Sequence, residues 1–349
     1  MSPSLYSDMR LAMILAALTA TVLTGALTPV LAAWARRRHY LDVPNHRSSH
    51  VVATPRIGGI ALVLGVLSGV VVLYLSGAGL GVGVPHVLGG ALAIAVLGLV
   101  DDFQHLSALV RLAIQTAVAI AVVMTSGDAI LLGIASPFAG VVTVLWLVTL
   151  TNAFNFMDGI DGIAGAQALV AGSGWLVVGL LSGAPYVAAL GLLLAAASTG
   201  FLLHNWHPAK VFMGDAGSGF FGFLFAALPL LAPPATGTLW LCAVLLMWPF
   251  LADTAVTLLR RAGRGEDVLS AHRSHFYQRL VLTGRSHRYV ALLYAGLAVL
   301  GGVAAVSLIA GSPPALLTSI TAIVAAAILV WWNVKAREGS PGRSGPAAV

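Results

Sequence analysis

Apolar stretches of about 20 residues, the length that crosses the hydrocarbon of a bilayer, alternate along this chain with short polar segments. Eleven stand out, near 11–33, 57–76, 84–100, 109–125, 137–154, 163–182, 185–203, 217–232, 238–259, 290–310 and 314–334. They predict an all-α, polytopic bundle of about eleven membrane helices, one unit over 1–334. A Gly-, Pro- and Ser-rich tail over 335–349 is expected to be disordered. The first stretch ends on small residues, as a secretory signal does. Only Arg10 precedes it, however, and Arg36, Arg37 and Arg38 follow. That asymmetry predicts an uncleaved anchor with its amino end outside and, eleven spans later, a carboxyl end inside.

Composition supports a membrane protein. The 349 residues are 59% hydrophobic and 9% charged, with mean hydropathy +0.95, whereas a soluble domain carries about 25% charge. The single cysteine, Cys242, excludes a disulfide framework. A net charge of +6 fits nucleic acid poorly and membrane topology well. With the chain threaded back and forth from that start, all 18 Lys and Arg residues except Arg10 fall on the cytoplasmic side. The same parity brings Asp101, Asp102, Asp158, Asp161 and Asp215 to the cytoplasmic ends of different helices, so one face carries the chemistry.

Residues 152–164, Asn-Ala-Phe-Asn-Phe-Met-Asp-Gly-Ile-Asp-Gly-Ile-Ala, set two amides and two carboxylates at three-residue spacing directly after an apolar run. On a helix continued through Asp158, Asn152, Asn155 and Asp158 fan over about a third of the circumference and can face one ligand. Gly159 and Gly162 suit a turn that swings Asp161 back to the same centre. Asp101 and Asp102 repel one another at a helix end unless a cation offsets the cost; solvated interfacial aspartates are the plain alternative. In 204–218 a lone Asp215 among Gly214, Gly217 and Gly219 precedes an apolar helix, whose exposed amides would favour anions. Asp215 is a credible ligand for Mg2+, which takes few protein oxygens plus substrate phosphates; the alternative is a helix cap.

Basic residues supply the complement. In the loop 36–59, Arg47, His50 or Arg56 can grip a phosphate, against ordinary positive-inside charge. His272, His275 and Arg279 fall at i, i+3 and i+7, one face of an expected interfacial helix whose other face carries Phe276, Leu280 and Val281. The His-x-x-His pair lacks a third ligand at zinc spacing, which favours phosphate contact. Asp253, inside the ninth stretch, is a candidate for function or for a structural Arg or His partner.

Taken together, Asp101-Asp102, the 152–164 block, Val-Phe-Met-Gly-Asp-Ala-Gly-Ser at 211–218 and the His/Arg loop resemble the polyprenyl-phosphate N-acetylhexosamine-1-phosphate transferases, the group that includes phospho-N-acetylmuramoyl-pentapeptide transferase. The resemblance covers about residues 36–290. It implies a helical bundle in the bacterial inner (cytoplasmic) membrane, active site toward the cytoplasm. The implied reaction moves a sugar-1-phosphate from a UDP-N-acetylhexosamine to undecaprenyl phosphate and releases UMP. It further implies that Asp215 and Asn155 hold Mg2+, with Mn2+ the alternative ion. By the same likeness Asp161, Asn205 and Phe212 frame the uracil, while Asp101, Asp102 and Asp158 form the catalytic set. Asn152, Arg56, His272, His275 and Arg279 are expected at the substrates, and a homodimer is an open option.

Phe-Gln-His after the Asp pair, the His-x-x-His spacing and Arg56 after Thr54-Pro55 depart from the muramoyl-pentapeptide branch. They point to the branch that starts O-antigen or other surface polysaccharides. A secondary transporter is the rival of another class. It would bind at the bilayer midplane through repeated halves, and no repeat is visible here.

Overall fold

A computed structural model describes residues 3–44, 52–125, 130–131, 134–135, 137–233, 237–268, 270 and 272–338. Arg47, His50 and the tail 339–349 lie outside the described residues. Twelve α-helices run α1 (Pro3–Arg37), α2 (Gly58–Leu73), α3 (Gly83–Gln104), α4 (Ala108–Thr125), α5 (Pro137–Met157) and α6 (Ile163–Leu181). They continue with α7 (Pro185–Asn205), α8 (Gly214–Ala227), α9 (Leu239–Ala262), the short α10 (Phe276–Leu282), α11 (His287–Ile309) and α12 (Pro313–Glu338). Eleven segments, all helices but α10, are long and apolar enough to cross a membrane. The all-α bundle expected from the apolar pattern is therefore what the chain forms.

Burial orders the helices. The α8 span is the most enclosed, with 83% of its central window buried, and α12 the least, at 6%. Phe220, Phe221, Phe223 and Phe225 of α8 are wholly inside, and Phe154 of α5 packs on Phe221, Phe225 and Phe250. Where helices approach most closely, glycine is required. A Cβ on Gly98 of α3 would strike the Asp215 peptide of α8, so the absence of a side chain there sets the distance between two aspartate-bearing helices. The start of α2 is tied by backbone hydrogen bonds to the segment before α8: Gly58 N–H donates to Phe212 O (2.9 Å) and Gly59 N–H to Met213 O (2.7 Å).

Two expectations are corrected. Helix α12 continues through Glu338, whose carboxylate Arg279 holds with two guanidinium nitrogens, 2.7 and 2.6 Å, so residues 335–338 of the expected tail are helical. The interfacial helix begins only at Phe276, so His272, His275 and Arg279 do not share a helical face.

The expected sidedness rests on charge alone and is testable. Reporter fusions after Gly79 and Pro234 are expected outside and one after Lys335 inside; a carboxyl end found outside would overturn the eleven-span threading.

Candidate active site

The ends of α3 and α5 and the starts of α2, α4 and α8 meet at one end of the bundle. Around them lies a cavity of about 690 Å³ whose polar lining includes Arg56, Asp101, Arg111, Asn152, Asn155, Asp158 and Asp215. Leu112, Val148, Phe156 and Leu258 add apolar lining, and His272 and His275, which precede α10, and Gln278 within it also line the cavity.

Arginines hold the acidic side chains together. Arg56 Nη2 donates to Asp215 Oδ1 (2.5 Å) and its Nε lies 3.2 Å from Asp102 Oδ1. Arg111 Nη1 donates to Asp101 Oδ2 (2.6 Å) and stands 3.7 Å from Asp215 Oδ2. Asn155 Nδ2 donates to Asp215 Oδ1 (2.9 Å) and to Ser218 Oγ (2.8 Å), while Asn152 Nδ2 donates to Gln115 Oε1 (2.6 Å). Burial opposes the charge on Arg56, yet Asp215, Asp102, Asp42 and Asp158 outweigh it and raise its pKa above the ordinary value.

Asp158 sits differently. Burial drives its carboxyl well above the usual range; Arg56 opposes the shift and the charges of Asp215 and Asp102 add to it. Helix α5 ends at Met157, one residue short of the expected Asp158, and the turn begins there.

Several expected partners are engaged elsewhere. Asp102 accepts from the N–H groups of Asp215 (3.1 Å) and Ala216 (3.3 Å), so the amides at the start of α8, expected to bind a ligand anion, already hold a protein carboxylate. Asp161 does not swing toward Asp215 but takes His207 and His287 as partners. Burial acts to raise its pKa, and hydrogen bonds from His287, His207 and the Ala209 N–H overcome it, holding the carboxyl at about 2. Asn205 is consumed by the backbone: its Oδ1 accepts from Gly162 N–H (3.1 Å) and its Nδ2 donates to Val211 O (2.9 Å). Phe212 continues the backbone pairing that carries Arg56. Arg279 is paired with Glu338 and stacked 5.0 Å from the Phe276 ring centroid, away from the cavity walls.

Asp253 resolves as a structural anchor. This buried carboxylate accepts from the N–H groups of Phe276 (2.8 Å) and Tyr277 (3.1 Å), Tyr294 OH (2.5 Å) and Thr257 Oγ1 (3.1 Å), and faces His275 Nδ1 at 3.2 Å. Tyr277 OH in turn donates to Phe156 O (3.0 Å), which fixes the loop over the end of α5. Burial, then His275 and Arg261, hold the His272 imidazole at about 4, so near neutrality the ring is uncharged.

The model of "Glycosyl transferase family 4" matches residues 84–232. A Bacillus subtilis protein named "Probable undecaprenyl-phosphate N-acetylglucosaminyl 1-phosphate transferase" is 34% identical over 299 residues, 82% of each chain. This chain belongs to that family. It is a multi-pass membrane phosphoglycosyltransferase. The "Decaprenyl-phosphate N-acetylglucosaminephosphotransferase" of Mycobacterium leprae is 33% identical over 318 residues, 80% of this chain and 79% of its own. A Yersinia pestis "Undecaprenyl-phosphate alpha-N-acetylglucosaminyl 1-phosphate transferase" is 29% identical over 283 residues, 72% of each. In this family 4 enzyme the matched region spans α3 to α8 and so includes every carboxylate of the cavity, while Arg56, His272 and His275 enter from outside it. Arg111 is the residue that sequence reasoning passed over: it stood among the cytoplasmic charges, and only the i, i+10 distance from Asp101 across a helix break hinted at the pair.

Asp158 yields a prediction with a definite sign. Its folded-state pKa lies above the unfolded value of about 3.9, so keeping it ionised costs stability as pH rises above that value. Asp158→Asn, unfolded thermally in detergent without divalent ions, should melt higher than wild type at pH 8, with the gap closing as pH falls toward 4. Transferase activity should drop in the same variant.

Proposed function

We propose that this enzyme transfers N-acetylhexosamine-1-phosphate from a UDP-sugar to undecaprenyl phosphate, releasing UMP and starting a lipid-linked surface polysaccharide. One observation carries the reading: a single cavity is lined by carboxylates, amides and arginines together with Leu112, Val148, Phe156 and Leu258, which suits an anionic headgroup on a hydrocarbon tail meeting a soluble diphosphate. The printed names of the relatives make N-acetylglucosamine the first donor to assay.

In this reaction an oxygen of the lipid phosphate attacks the sugar-bearing phosphorus of the donor. A P–O bond forms there, the bond to the other phosphate breaks, and UMP leaves with the electron pair. Both reactants are anions, so neutralising and orienting charge is the main task. The lipid phosphate, with a second pKa of about 6, is mostly dianionic at pH 7 and needs no general base, which favours direct attack over a phospho-aspartate. Arg56 and Arg111, released from carboxylates as phosphates arrive, contact the transferring oxygens. Asp101 and Asp102 act through these arginines, and Asp158 orients the acceptor.

The donor set suits Mg2+: the Asp215 carboxylate and the Asn155 amide are hydrogen-bonded neighbours at the cavity, Asn155 Nδ2 donating to Asp215 Oδ1, and each would offer the ion one hard oxygen, with Arg56 now balancing the charge. Mg2+ held there would draw off charge from the diphosphate. His275 and His272 donate hydrogen bonds to the sugar-phosphate, and Asn152 aligns the polar wall. Asp161 and Asn205 serve the nucleotide indirectly, by fixing the 158–162 turn, while Phe212 beside Arg56 contacts the base. The active face lies toward the cytoplasm of the inner membrane, as the basic loops require.

Asp215→Asn keeps the side-chain shape and one oxygen but removes the charge. UMP release should fall by about 100-fold or more, because a metal clamp on phosphoryl oxygens contributes several kcal/mol to the transition state, and more Mg2+ should be needed for half-maximal rate. Thermal unfolding serves as the folding control. Near-wild-type turnover with unchanged Mg2+ dependence would reduce Asp215 to a helix residue, since Asn caps about as well as Asp.

A further inference from the structure

Asp161, His207 and His287 form a second cluster apart from the Asp101, Asp102, Asp158 and Asp215 group. Among the described residues it is the set of three His, Cys, Asp or Glu side chains whose ligand atoms all fall within 4.8 Å of one another. His207 Nδ1 lies 2.7 Å from Asp161 Oδ2, and His287 Nδ1 lies 3.3 Å from Asp161 Oδ1. The two rings are 5.4 Å apart between centroids, inclined at 54°; both Nδ1 atoms face the same carboxylate, and His287 Nδ1 also accepts from the Asp161 N–H at 3.5 Å. An imidazole lone pair and a carboxylate oxygen repel unless something positive lies between them. Protons can fill that role at each contact, and a single cation can fill it for both.

We propose that Asp161, His207 and His287 bind one divalent transition-metal ion of the Zn2+ class. Two imidazoles and one carboxylate are the donors such ions prefer, and three protein ligands leave a position open; Mg2+, which prefers oxygen, is not selected. The ligands come from three segments, the turn after α5, the loop after α7 and the first residue of α11. An ion here would lock together the pieces that border the cytoplasmic mouth. The surroundings have the features of a supported site: Asp161 also accepts from Ala209 N–H (3.1 Å), and Asn205 holds the next residue, Gly162, by its N–H. His207 is 38% exposed, which gives the ion a path in, whereas Asp161 and His287 are largely enclosed.

The test needs neither donor nor acceptor, so it stands or falls separately from the transfer reaction. Tag-free protein in detergent, stripped with chelator and held in excess Mg2+, is titrated with Co2+ and followed by its visible d–d absorption, then challenged with Zn2+. Saturation at one equivalent and displacement by Zn2+ are expected. His207→Gln, at an exposed position that folding tolerates, should weaken Co2+ binding at least about 10-fold, and the His207→Gln/His287→Gln double variant should abolish the band. His272→Gln should leave it unchanged. No saturable band in wild type, a band that survives the double variant, or one lost in His272→Gln would each overturn the assignment.

Discussion

Carboxylates crowded at the end of a membrane bundle repel one another, and what makes their convergence tolerable here is a pair of guanidinium groups. Arg56 bridges Asp102 and Asp215, and Arg111 bridges Asp101 and Asp215. Removal of either cation would leave a partly buried anion without compensation, which costs far more than the pair itself contributes. The bridging also ties four chain segments to one point: the loop before α2, the end of α3, the start of α4 and the start of α8. Glycine contributes by absence, since only Gly98 lets α3 approach α8 closely enough for Asp102 to reach the amides of Asp215 and Ala216.

That arrangement explains a division of labour among similar residues. Asp102, from the end of α3, and Asp215 meet at the start of α8, but Asp102 is spent on backbone N–H groups while Asp215 faces the cavity with Asn155 beside it. Asp253 is a third case. Buried in α9 and given two backbone N–H donors, two hydroxyls and an imidazole, it holds the start of α10, and with it His275, over the cavity without facing a substrate itself. A carboxylate deep in an apolar helix is thus satisfied by geometry, with the cost of burying it offset by the number of donors.

The bundle was legible in the sequence because hydrophobic length is a property of each segment alone, and all eleven spans appear within a few residues of where the apolar runs lie. The convergence of Asn155, Asp158 and Asp215 was legible too, because parity brings alternate helix ends to the same side. Local periodicity failed where a loop intervened. Spacing of His272, His275 and Arg279 suggested one helical face, but α10 starts after both histidines, since Asp253 captures the N–H groups of Phe276 and Tyr277 and fixes the helix start there. Asp161 escaped for a similar reason: its partners are 46 and 126 residues away, and no spacing rule joins them.

These failures share a cause that bears on how such sites work. Asp161, His272 and His275 lie in loops at the bundle end, where position is set by a few long-range hydrogen bonds rather than by helical repeat. The helix-borne groups form a rigid acidic wall, while Arg56, His272 and His275 reach it from loops whose own anchors, Phe212 and Met213 for one and Asp253 for the other, sit on neighbouring helices or their flanks. Loops on such anchors can release and regrip a ligand with small local motions, and helices packed through glycine cannot. The division suits a reaction in which one substrate arrives from water and the other from the bilayer: the wall stays fixed for both, and the basic loops adjust to each anion in turn.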